Sequence, residues 1–198
     1  PFMVALKKQP DPALEARTLA DELNRRFAGA SAEDVIAFAV REGFPGAVGA
    51  VSSFGAESAV LLNLIASVEK SVPILFLDTG KHFGETLDYR RDLTAALGLT
   101  DVRNVEPLAD KLATDDPDGT LHTVSTDRCC AIRKVEPMAR AVIPFDAWFT
   151  GRKRFQASTR AALPLFEAVG HRIRINPLAG WSEDDLADYQ EKHDLPVH

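Results

Sequence analysis

From residue 47 onward the chain alternates short, almost purely apolar runs with longer amphipathic ones, and that rhythm constrains its fold more than any other feature. Ala47-Val48-Gly49-Ala50-Val51 reads as a buried strand, and Glu57 to about Lys70 as a helix. Val72 to Leu77 is a second strand, Glu85 to about Leu97 a helix stopped by Gly98, and Val102 to Val105 a third strand. Ala147 to Thr150 supplies a fourth, and Arg172 to Ile175 alternates polar and apolar as an edge strand or hairpin does. Strands without a polar face need cover on both sides, and strands separated by helices tend to run parallel. The expected fold is therefore α/β: a mainly parallel sheet covered by helices on both faces. In such a sheet a ligand sits at the C-terminal ends of the strands, where the loops emerge.

The segments around this core are simpler. Asp11 caps a helix that opens with Pro12 and runs to about Phe27, and Ser31 caps a second over 32–42, ended by Gly43. These two form an N-terminal helical cover over residues 1–44, and 45–198 form the α/β core of a single domain. Residues 128–142 read as a helix, with Pro137 implying a kink or break. Ser182-Glu183-Asp184-Asp185 opens a last helix over 183–193. A hydrophobic share of 45% is ample for a full core. No run approaches the roughly 18 apolar residues of a membrane span, and Pro1-Phe2-Met3-Val4 lacks the basic start of a secretory signal. A cytoplasmic, reducing setting is expected, because the two cysteines are adjacent and offer no disulfide framework. The start without Met and the finish at Leu195-Pro196-Val197-His198 suggest an ordered part of something longer.

Three motifs fall at strand ends. Val51-Ser52-Ser53-Phe54-Gly55-Ala56-Glu57-Ser58 lies between the first strand and its helix. There a glycine allows a tight turn, and hydroxyls with the helix's free N–H groups make an anion cradle. An ordinary capped helix start has the same ingredients. The loop is neither a Walker A sequence nor Gly-x-Gly-x-x-Gly. Leu77-Asp78-Thr79-Gly80 ends the second strand, where backbone groups can pair with an adenine edge and Asp78 can orient a hydroxyl or its own loop. Thr150-Gly151 through Arg160 follows the fourth strand, with Gly151 allowing close approach and arginines suited to phosphate or to stacking on a base. Three such loops converging on one sheet edge point to a nucleotide.

Charge and cysteine usage agree with a small anionic ligand. The chain carries −6 overall, yet residues 128–174 hold ten Lys/Arg against three acids, an excess of seven. A nucleic-acid binder is more often basic as a whole, so no nucleic-acid partner is expected, and a solvated helix face is the plainer alternative. Both cysteines, Cys129 and Cys130, stand side by side among Arg128, Arg133 and Lys134. Adjacent residues rarely bridge. Nearby cations favour the thiolate that metal or redox chemistry requires, while two core residues remain the bland reading. His122 raises a minor zinc alternative, although the paired ligand spacing of a zinc site is absent. His82 stands beside the second strand-end loop and could touch a ligand there.

These motifs, in this order, resemble the adenylyl sulfate / phosphoadenylyl sulfate reductase family, a branch of the adenine-nucleotide α-hydrolase-like (PP-loop) fold. The resemblance rests on Ser52-Ser53-Phe54-Gly55-Ala56-Glu57-Ser58, Leu77-Asp78-Thr79-Gly80, Cys129-Cys130 with Ile132-Arg133-Lys134 and Glu136-Pro137, and the Thr150–Arg160 segment. Asn176-Pro177-Leu178 and Leu195-Pro196-Val197-His198 continue it, so that it covers about residues 45–198. ATP-using relatives typically carry Ser-Gly-Gly-x-Asp-Ser in the first loop, whereas Phe54 and Glu57 here favour the reductase branch.

The resemblance implies thioredoxin-dependent (or glutaredoxin-dependent) reduction of adenylyl sulfate to sulfite and AMP in sulfate assimilation. It implies a 4Fe–4S cluster, with Cys129 and Cys130 as two of its four ligands and Lys134 acting electrostatically between cluster and substrate. It places Ser52, Ser53, Phe54, Gly55, Glu57, Ser58, Leu77, Asp78, Thr79, Arg133, Gly151 and Arg160 around the nucleotide. Its second Cys-x-x-Cys and its nucleophilic cysteine should follow His198, and neither is in this sequence. Homo-oligomers are common in the family. Phosphoadenylyl sulfate as substrate, a PP-loop ATP pyrophosphatase, and a catalytically inactive nucleotide- or metal-binding module are the competing readings.

Overall fold

Strand residues with no polar face fold into the middle of the molecule, and they do so here in a six-stranded sheet of order β3-β2-β1-β4-β6-β5. The computed structural model describes residues 9–55, 57–78, 80, 84–157 and 162–197. Strand β1 spans Val48–Ser52, β2 Ile74–Leu77, β3 Val102–Val105, β4 Ala147–Phe149, β5 Phe166–Val169 and β6 Arg172–Ile175. The pairs β1·β2, β2·β3, β1·β4 and β4·β6 are parallel, and only β5·β6 is antiparallel. The mainly parallel α/β sheet expected from the sequence is present.

Of the two forms expected for Arg172–Ile175, edge strand or hairpin, the hairpin is present: β6 is flanked by β4 and β5 and pairs antiparallel with β5, which forms the edge and which the sequence pattern did not suggest. A two-residue turn through Gly170 and His171 closes that hairpin, with Val169 opposite Arg172. Gly170 takes φ 60°, as such a turn requires. The expected helix over 128–142 begins two residues earlier, as Thr126–Cys130, Ala131–Val135 and Glu136–Ala141, with the central five residues in a wider π turn. Pro137 sits in the first turn of the last piece, where its missing N–H is tolerated. The π turn absorbs the irregularity that a proline otherwise imposes as a break.

Helices α1 (Pro12–Arg26), α2 (Ala32–Phe38), α3 (Ser58–Val68), α4 (Gly84–Leu97) and α9 (Glu183–Lys192) accompany one sheet face. Asp11 and Ser31 cap α1 and α2 as expected, accepting from the Ala13 and Asp34 N–H groups. The side chain of Asn24 bonds both the N–H and the C=O of Phe166, which fastens α1 to the edge strand. On this face Ile74, Phe76, Ala50, Phe149, Ile173 and Ile175 join α3 in one large apolar core. The opposite face carries a smaller cluster of Leu75, Val105, Val142, Phe145 and Trp148. Helix α8 (Glu136–Ala141) packs there against β2 and β3, after α5 (Ala109–Asp115), α6 (Leu121–Val124) and α7 (Thr126–Cys130). No helix among the described residues is long and apolar enough to cross a membrane.

The strand order fixes where a ligand belongs. The chain moves from β1 outward to β2 and β3, then crosses back to β4 on the other side of β1. The sheet's topological switch point therefore lies between the C-terminal ends of β1 and β4.

Candidate nucleotide site

A cavity of about 330 Å³ opens at that switch point, lined by the loop after β1 and the loop after β4. Ser52, Ser53, Gly55, Glu57 and Ser58 come from the first loop, Gly151, Arg152, Lys153 and Gln156 from the second, and Leu61 of α3 is beneath. Helix α3 starts at Ser58 on the wall of this cavity with no side-chain cap, the Ser58 N–H donating to Gly55 O, and the positive end of a helix favours an anion. Adding a Cβ at Gly55 or Gly151 would bring only ordinary contacts, 3.6 Å to Ser53 Oγ and 3.8 Å to Leu61 Cδ2. These two glycines thus leave room in the cavity, and neither is needed for the turn.

The turn itself is made by Phe54. Its φ is +53°, and its N–H donates to Ser52 Oγ at 3.1 Å. The ring is fully buried, edge-on to Phe76 with centroids 5.5 Å apart. Of the first-loop residues expected around a nucleotide, Phe54 alone faces the core, and it acts by shaping the loop.

The second loop is tied down at several points. Thr150 Oγ1 donates to Asn176 Oδ1, and the fully buried Asn176 also donates to Pro164 O and Glu167 Oε2. Lys153 is 2% exposed, and its Nζ lies 3.0 Å from Glu57 Oε2 and 2.8 Å from Gly151 O. Gln156 Nε2 donates to the same Glu57 oxygen at 2.8 Å. Lys153 and Gln156 were not among the expected site residues. The only local signal for them was a lysine within the Arg-Lys-Arg run of a strand-end loop.

A second recess of about 590 Å³ adjoins the first, since Val51 and Arg152 line both. It runs over the smaller apolar cluster, with Leu77, Met138, Val142 and Trp148 in its walls and Lys134, Arg172 and Arg174 among its cations. Leu77 and Lys134 thus face this recess, away from the serine-lined cavity. Asp78 accepts from the Gly80 N–H through Oδ1, holding its own loop. Thr79, Arg160 and His82 lie outside the described residues.

Arg133 is not a free cation for a ligand. It is buried, with its NH2 2.8 Å and its Nε 3.2 Å from Asp116 Oδ2. Asp116 Oδ1 in turn accepts from the Leu121 N–H. Much of the basic stretch is compensated likewise: Arg140 pairs with Glu136, Arg174 with Glu167, and Arg172 donates to the carbonyls of Phe145 and Ile143. Glu167 is opposed by burial, which favours its neutral form, yet hydrogen bonds from Arg174 and Asn176 outweigh this and hold its pKa below the usual carboxylate range.

Cys129 and Cys130 close α7, half-buried and unbridged. No group of three or more His, Cys, Asp or Glu side chains able to hold a metal ion occurs among the described residues. The chain's two thiols are therefore at most half of a four-thiolate set.

The comparisons with known proteins agree with this geometry. The family profile named phosphoadenosine phosphosulfate reductase domain matches residues 48–198. This chain belongs to that family. An adenosine 5'-phosphosulfate reductase of Mesorhizobium japonicum is 60% identical over 162 residues, 82% of this chain and 64% of that protein. One from a Chelativorans species is 54% identical over 188 residues, 94% of this chain and 76% of that protein. The chain thus spans about two thirds to three quarters of these relatives. A crystal structure of phosphoadenylyl-sulfate reductase from Candida auris, in a phosphate complex, superposes with a TM-score of 0.73 at 28% identity, covering 90% of this chain and 87% of that one.

Proposed function

We propose that this domain binds adenylyl sulfate and reduces it to sulfite and AMP. The observation that carries the reading is a polar cavity at the switch point with an apolar recess adjoining it across the sheet face. A small polar cavity, built from Ser52, Ser53, Ser58 and the start of α3, suits a phosphate–sulfate group. The adjoining apolar recess, walled by Leu77, Met138 and Trp148, suits a purine and its sugar. The names of the two most similar relatives quoted above favour adenylyl sulfate over its 3′-phosphorylated form.

In the proposed reaction a cysteine thiolate attacks the sulfate sulfur. The S–O bond to AMP breaks, and the electron pair leaves on the AMP phosphate. A thioredoxin or glutaredoxin dithiol then attacks the S-sulfonated cysteine, releasing sulfite and becoming a disulfide. Neither Cys129 nor Cys130 lines the serine cavity or the adjoining recess. The attacking cysteine is assigned to a segment following His198, and so are the two further thiolates that a 4Fe–4S cluster at Cys129-Cys130 needs. Arg152, on the wall of both recesses, supplies positive charge beside the position where negative charge develops, and Lys134 adds a longer-range positive field from the wall of the second recess.

The test is anaerobic incubation of the full-length polypeptide with adenylyl sulfate, followed by reduced thioredoxin. One AMP and one sulfite per turnover are expected. Pyrophosphate release from ATP, with no AMP from adenylyl sulfate, would shift the reading to an adenylating PP-loop enzyme.

A further inference from the structure

The cavity proposed to hold an anion carries a carboxylate at its wall. Glu57 lines it with its side chain 49% exposed, directly beside the three serines. Left alone, that charge would repel a phosphate–sulfate group at contact range, even in a watery setting. It is not left alone. One oxygen, Oε2, receives both the Lys153 ammonium and the Gln156 amide, from a loop 96 and 99 residues further along the chain. Lys153 itself is nearly sealed from solvent, and the Gly151 carbonyl takes a second of its hydrogen bonds.

We infer that Lys153 is a positioning residue that masks the Glu57 carboxylate, and that it does not grip the anion itself. Glu57 holds the buried ammonium between two loops, and the ammonium cancels the one negative charge that the described residues put on the wall of the cavity. The ligand is then left to the hydroxyls, the start of α3 and Arg152. The inference rests on the sulfonucleotide reading and specifies how that site tolerates an acid.

The experiment is calorimetric titration of adenylyl sulfate, AMP and uncharged adenosine into the parent, Lys153→Met, Glu57→Gln and the double variant, at one ionic strength, with melting temperatures in parallel. Lys153→Met should bind adenylyl sulfate at least tenfold more weakly, about 1.4 kcal/mol, while adenosine affinity changes less than twofold. Removing the exposed carboxylate as well should restore the double variant to within threefold of the parent. Glu57→Gln alone should bind the anions about threefold more tightly. Lys153→Gln, which keeps a donor without the charge, should follow Lys153→Met and serves if the methionine variant does not fold. A double variant as weak as Lys153→Met, or an equal loss for adenosine, would show that Lys153 contacts the anion or merely holds the loop, and overturns the mask. A parent that binds neither adenylyl sulfate nor AMP overturns the nucleotide reading and the mask together.

Discussion

Phe54 holds a left-handed backbone, φ +53°, while its ring packs edge-on to Phe76 at 5.5 Å. For a bulky residue that conformation costs on the order of 1–3 kcal/mol and persists only where packing enforces it. Here the enforcement comes from the core, and the result is a loop that presents Ser52 and Ser53 to the cavity. Phe54→Ala should destabilise the domain by about 3–5 kcal/mol through the void it leaves. Phe54→Leu, which refills most of that volume, should cost less than half as much. Urea unfolding of the three proteins checks this. Equal losses for both variants would mean the ring's shape, and not its bulk, holds the turn.

The Asp116–Arg133 pair joins the segment before α6 to the rod that carries the tandem cysteines. Both side chains are nearly inaccessible, at 1% and 8%. Taking one partner away leaves a buried charge, a loss of roughly 3–5 kcal/mol, whereas replacing both by apolar groups is far cheaper. Asp116→Leu and Arg133→Met should each lower the melting temperature more than the double variant does. A double variant that melts below both singles would show that the two residues act separately.

Glu167 gives the fold an acid-sensitive contact. Burial opposes its charge, yet Arg174 and Asn176 hold its folded pKa below the unfolded value. A depressed carboxylate stabilises the fold above the unfolded pKa, roughly 4.3, and that contribution disappears as pH falls through the folded value. Glu167→Gln should therefore cost about 1–2 kcal/mol at pH 7, with the gap from the parent closing below about pH 4. Chemical denaturation at a series of pH values reads it. A gap independent of pH would assign the loss to packing around Asn176.

The parallel core was legible because Val48–Ser52, Ile74–Leu77 and Ala147–Phe149 have almost no polar residues, so their burial is written locally. Strand β5 was not, since Phe166–Val169 is four residues with a glutamate, and its place depends on a glycine turn and on Asn24 from 142 residues away. The anion loop was legible from its hydroxyls and position, but the turn was assigned to Gly55 when Phe54 makes it, supported by a ring in another strand. Arg133 read as an available cation because a sequence shows charges without partners, and Asp116 lies 17 residues upstream. Lys153 was hidden for the same reason, its partner Glu57 being 96 residues away.

Lys134 differs from Arg133 although the two are adjacent. It is exposed, makes no ion pair among the described residues, and stands on the wall of the recess that contains Leu77 and Trp148. A cation so placed acts on the negative charge of the phosphate–sulfate group of a bound sulfonucleotide through its field, from the recess beside the serine cavity, without first breaking an ion pair in the protein. Because that charge grows as sulfate leaves phosphate, the effect should fall on the chemical step. Lys134→Ala in the full-length polypeptide should lower sulfite formation at least tenfold, or about 1.4 kcal/mol of barrier, with AMP affinity within about threefold of the parent. Single-turnover rates beside equilibrium AMP binding separate the two quantities. An unchanged rate removes Lys134 from the chemistry, and a rate and affinity that fall together make it a ground-state contact.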